Sequence, residues 1–165
     1  MKECEVFVRV PLLAWIFQVI PESIALAALV MSLGTRDLPW GKIFKIGFVY
    51  AIAVYIVRIM PFTPGVHVIV LAATLGVICI YLGGLEMKRG MVYSAIGMAL
   101  LVITEMVCVY TIISLKIFTM EQMMIESVIS RIIGGTPHYV LLFIYALIVK
   151  KKRISLEFLF RPRVF

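Results

Sequence analysis

Six residues of this 165-residue chain set a polar or ionisable side chain within or beside long apolar runs: Gln18, Glu22, Arg58, His67, Glu105 and His138. Charge in such a setting is costly unless it is paired or used, which makes these the places to look for chemistry. Gln18 and Glu22 are four residues apart and share one face of a helix. Pro21 has no amide hydrogen, so a carbonyl one turn earlier loses its usual donor. A polar patch beside a loosened helix can bind a ligand, an ion or a proton. Equally, a protonated Glu22 can simply hydrogen-bond to a neighbouring helix. Arg58, His67, Glu105 and His138 fall at or near the ends of their apolar runs on one side, Glu105 deepest. They are expected to converge on one outward-facing polar pocket for an external small or peptide ligand, with Arg58 and Glu105 as an ion pair. The plainer counterpart is a structural ion pair plus two histidines at headgroup level.

Other chemistries find little footing. His67, His138 and Glu105 form a permissible zinc set, yet no His-Glu-x-x-His spacing or accompanying cysteine supports it. No metal and no cofactor are expected. There is no Gly-x-Ser-x-Gly, no phosphate-binding glycine loop and no pair of aspartates in adjacent runs. Cys79 lies about three turns from His67, and Cys108 has no base beside it. With Cys4 these cysteines match no ligand spacing and no disulfide framework. The chain is not expected to be an enzyme.

The elements that carry these residues are oily. Hydrophobic residues make up 63% of the chain, 15% is charged, and mean hydropathy is +1.10. A bilayer core of roughly 30 Å needs about 20 apolar residues as a helix. The sequence predicts an all-α polytopic membrane protein with five spans at 10–33, 43–60, 66–82, 91–115 and 136–149. An amphipathic interfacial helix is expected over 119–133, where Glu121, Glu126 and Arg131 alternate with apolar residues. Gly134-Gly135-Thr136-Pro137 is expected to break that helix before the short fifth span. The segment 1–153 reads as one membrane domain and 154–165 as a cytoplasmic tail. Ala25-Leu26-Ala27 mimics a signal-peptide cleavage site, but the apolar run continues past it and the first span is expected to stay. Small residues four apart (Gly47 and Ala51, Ala72 and Gly76, Gly90 and Ser94) are expected to serve internal helix packing.

The net charge of +7 sits in short loops and at the carboxyl end, where topology signals and anionic headgroups account for it without nucleic acid. Lys150, Lys151, Lys152 and Arg153 form a basic cluster that anchors the last span at lipid or contacts a partner. With the carboxyl end inside, Arg36, Lys42, Lys45, Lys88 and Arg89 are cytoplasmic too. The expected setting is the cytoplasmic membrane, amino end outside.

Ile20-Pro21-Glu22, Leu38-Pro39-Trp40-Gly41-Lys42-Ile43, Tyr50-Ala51, Val54-Tyr55-Ile56-Val57-Arg58 and Pro64-Gly65-Val66-His67 together resemble the amino-terminal membrane region of Firmicutes sensor histidine kinases of the peptide-sensing, GHKL-ATPase type. The resemblance covers mainly the first half of the chain. It implies a multi-helix signal-receiving domain. The family's phospho-acceptor segment and ATP-binding domain are missing, so kinase activity is not carried over and a separately encoded kinase becomes the implied partner. The leading expectation is a non-enzymatic sensor-like or partner-regulating module. A small transport protein or transporter subunit is the alternative, and a structural assembly subunit or homo-oligomer a further one.

Overall fold

In the computed structural model the described residues are 15–35, 38–60, 63–115 and 128–152, with backbone alone for Pro64 and 128–134. They contain helices and connecting turns and no strand. A π-helical turn, Trp15–Val19, runs directly into α1, Ile20–Gly34. Then come α2 (Trp40–Ile59), α3 (Pro64–Tyr81), α4 (Met87–Ser114) and α5 (Val128–Lys151). The helices alternate in direction. Gly47 of α2 lies against Ile24 of α1, Gly97 of α4 against Leu26 and Val30, and Gly76 of α3 against Met91 and Ser94 of α4. Helix α1 is the axis, packed most extensively on α5 and α2 and also against α4.

Among the described residues two units, Trp15–Gly34 and Met87–Ser114, are long and apolar enough to cross a membrane, fewer than the five expected. The apolar stretch Gly65–Tyr81 is shorter, and α2 carries Lys42, Lys45 and Arg58 within its length. Two boundaries also differ from expectation. Lys88, Arg89 and Gly90, which precede the expected span 91–115, form the first turn of α4, where Arg89 pairs with Glu86 at 3.2 Å. The break expected at Gly134–Pro137 does not occur: α5 runs unbroken for 24 residues with Pro137 inside it. Proline removes one backbone hydrogen bond, a loss that a helix packed among neighbours absorbs. The six residues 128–133 therefore extend α5, and the rest of the expected amphipathic helix lies outside the described residues.

Close helix approach follows the small residues, as expected. A Cβ at Gly47 would meet Ile24 Cα at 2.7 Å, and one at Gly90 would meet Ile80 Cγ1 at 2.5 Å. Hydroxyls turn back on their own helices, as Ser32 does to Leu29 O and Thr104 to Leu100 O, both at 2.7 Å. That pattern satisfies a polar group without asking anything of its surroundings. Large apolar side chains face outward instead of covering the core alone: Phe44, Phe48, Ile52 and Ile56 on α2, and Ile103, Met106 and Val107 on α4.

Candidate functional site

Glu22 and His138 meet across the α1–α5 seam. His138 Nε2 lies 3.4 Å from Glu22 Oε2, with the imidazole side chain 3% exposed and the carboxylate side chain 18%. Local sequence explains the meeting. Pro21 cannot supply the amide that an unbroken α-helix would place against the carbonyl of Phe17, and the chain upstream widens into the π-turn. Such wide turns inside helices re-aim side chains. On α5, Pro137 stands just before His138 as Pro21 stands before Glu22. One turn along, Gln18 packs on Gly135 so closely that a Cβ there would meet its Nε2 at 2.5 Å. A proline-linked ionisable residue on each of two touching helices thus forms the polar centre.

The 3.4 Å separation exceeds the usual N–H···O range of about 2.7–3.2 Å. Apart from this contact with Glu22, His138 Nε2 has no hydrogen-bond partner among the described residues. Around this contact, Glu105 of α4 lies within electrostatic range of Glu22, His138 and Arg58. Tyr50 of α2, 2% exposed, lies within range of Glu22 and Arg58. Trp15 closes the edge of the seam: its indole N–H donates to Ala51 O at 3.3 Å, and its ring meets Tyr55 edge-on at 6.1 Å. On α5, Tyr139 Oη donates to Thr136 Oγ1 at 3.2 Å.

The sequence-derived residues therefore regroup. His138, expected with Arg58, Glu105 and His67, touches Glu22, which was read with Gln18 as a polar patch on the first span. Arg58 and Glu105 are both exposed and form no ion pair with each other among the described residues. His67, half-buried in the first turn of α3, is in electrostatic range of Arg58 alone among the candidate residues. No group of three metal-ligating side chains occurs among the described residues. Lys150, Lys151 and Lys152 are exposed at the far end of α5, whereas Arg153 lies outside the described residues. Trp15, Tyr50 and Gly135 went unsingled in the sequence. A signal was available in Gly135, which falls three residues before His138 on a helix read as broken there.

The arrangement offers one carboxylate–imidazole contact with a second carboxylate and a guanidinium nearby. That chemistry suits holding a proton or a small polar ligand. No family model, curated protein or solved structure matches this chain.

Proposed function

We propose that the chain is a polytopic membrane module without enzymatic activity of its own, which receives a signal at the Glu22–His138 seam and relays it to a partner at its basic end. All five helices cross the bilayer, amino end outside and carboxyl end in the cytoplasm. Three observations support the membrane reading. The outward faces of α2 and α4 are apolar over areas that a water-exposed surface does not sustain. Aromatic side chains occur at both ends of the bundle, Trp40 and Tyr81 at one and Trp15, Tyr55 and Tyr110 toward the other, as membrane interfaces favour. Among the described residues Lys42, Lys45, Lys88, Arg89, Lys150, Lys151 and Lys152 share one end, opposed by Arg58 and Arg131 at the other. This asymmetry is the one that retains basic ends inside.

The observation carrying the receiving role is the Glu22–His138 contact, set between two proline-bearing helices in an otherwise apolar bundle. The resemblance to sensor membrane regions accords with it, and the implied partner is a separately encoded kinase or another membrane protein. A Trp40→Phe protein keeps Trp15 as its single tryptophan, placed at the edge of the seam. In lipid nanodiscs, titration with free amino acids and short peptides should change Trp15 emission saturably, and Glu22→Gln should abolish the change. A transport protein is the second reading. It is favoured by the π-turn and Pro137 interrupting two helices around one carboxylate, as in transporter sites. No response to any probe, together with proton-driven uptake in liposomes lost in Glu22→Gln, would replace the first reading with the second.

Orientation has its own test. With Cys4, Cys79 and Cys108 replaced by serine, an impermeant maleimide on intact cells should label a cysteine at Thr63 and spare one at Lys152. The reverse pattern overturns the topology.

A further inference from the structure

His138 Nε2 and Glu22 Oε2 face each other at 3.4 Å, and a bare contact of that kind is untenable. An imidazole lone pair and a carboxylate oxygen are both acceptors and repel one another. Every acceptable arrangement places a hydrogen between them. With a neutral imidazole carrying it on Nε2, the pair has a net charge of −1. One more proton, on Nδ1 or on the carboxylate with a shift of tautomer, makes the pair neutral overall.

A buried site of low polarity separates these two states in energy according to its net charge. The imidazole is 3% exposed, and Nε2 has no hydrogen bond to compete for it. Glu105 of α4 lies within electrostatic range of both members of the pair, and Tyr50 of α2 within range of Glu22. Tyr139 stands beside His138 on α5, and Arg58 of α2 is in range of Glu105 and Tyr50. From α3, His67 reaches only as far as Arg58. Glu105 adds one carboxylate beside the pair, and the Arg58 guanidinium lies within electrostatic range of Glu105. Glu22 keeps 18% of its side chain exposed, and Glu105 is exposed. The carboxylate of the pair is therefore the member that surroundings can reach, and the imidazole is not.

We propose that the Glu22–His138 seam is a proton-binding site that gains and loses one proton per chain. The inference deepens the reading of the seam as the receiving site: the proton is either the signal or is bound with it. Loss of the proton leaves a net charge between α1 and α5, at the level where Pro21 and Pro137 have already removed backbone bonds.

The test uses the full chain in lipid nanodiscs. His67→Asn leaves His138 as the single histidine, and ring ¹⁵N shifts then report its form from about pH 5 to about pH 9, the span in which imidazoles change charge. The expected result is a single transition in the His67→Asn protein, retained on adding Glu105→Gln and absent on adding Glu22→Gln, where the ring stays neutral. If Glu22→Gln does not insert, an indicator dye counts protons released on a pH jump. The His67→Asn protein should release one more per chain than the same protein with His138→Gln. A ring fixed in one form throughout, an unchanged transition in Glu22→Gln, or equal dye counts each overturn the proposal. Titration of His138 without any Trp15 response to ligands would uphold the proton site and remove the ligand reading. A Trp15 response with a non-titrating ring would do the opposite.

Discussion

The Trp15–Gly34 unit and α4 are alike in the property that hydropathy measures and opposite in the role they take. Each is long and apolar enough to cross a membrane, yet 61% of the apolar window in the first is buried inside the bundle, against 28% in α4. Small side chains contribute to the difference. Helix α1 carries Ala25, Ala27, Ala28, Ser23 and Ser32, all buried, and small side chains let neighbours close in on several sides. On α4, Ile103, Met106, Val107 and Tyr110 face outward. Hydrophobicity says that a helix leaves water; the distribution of small residues says whether it leaves for protein or for lipid.

Four substitutions test this contrast, ordered by expected effect. His138→Ala leaves Glu22 without its partner on the buried helix, and losing one member of a buried pair costs about 3–5 kcal/mol. Thermal unfolding in nanodiscs should show it, with partial recovery when Glu22→Gln is added. Ala27→Phe forces a ring into a position of 0% exposure, where overpacking costs about 1–3 kcal/mol. A neutral result there would mean that α1 is not the packed axis. Gly84→Ala, at φ +76°, should lose about 1–2 kcal/mol through left-handed strain. Ile103→Ala, on the outward face of α4, should change stability by less than about 0.5 kcal/mol. A larger loss in the same assay would reveal a protein partner on that face rather than lipid.

The helical architecture was readable in the sequence because apolar runs and their Gly/Pro punctuation record local physics. The stretch 43–60 was foreseen and Trp40–Ile59 is found; for 66–82 the helix is Pro64–Tyr81. The loosening of the first helix at Pro21 was also readable, since a missing amide has the same consequence in any surroundings. The fifth helix was not. Gly134-Gly135-Thr136-Pro137 is a stop signal for an isolated helix, but here the glycine receives Gln18 and the helix continues. Reading a break there set His138 at a helix start beside the end groups, when it lies well inside α5 and opposite Glu22. Glu22 and His138 were each picked out by type and setting. Their partnership depends on which helices touch, and that is decided by tertiary packing 116 residues apart in sequence.

The turn between α3 and α4 closes the carbonyl end of α3 before α4 begins. Gly84 N–H donates to Ile80 O at 3.1 Å and Leu85 N–H to Cys79 O at 3.4 Å. A Cβ at Gly83 would meet Met31 Sδ at 2.8 Å. Both bonds cap the carbonyl end of α3 from its own turn, and Met31 brings the tail of α1 against that cap. The turn thus satisfies two carbonyls at the end of α3 within the chain itself, so this connection asks no hydrogen bond of whatever surrounds it.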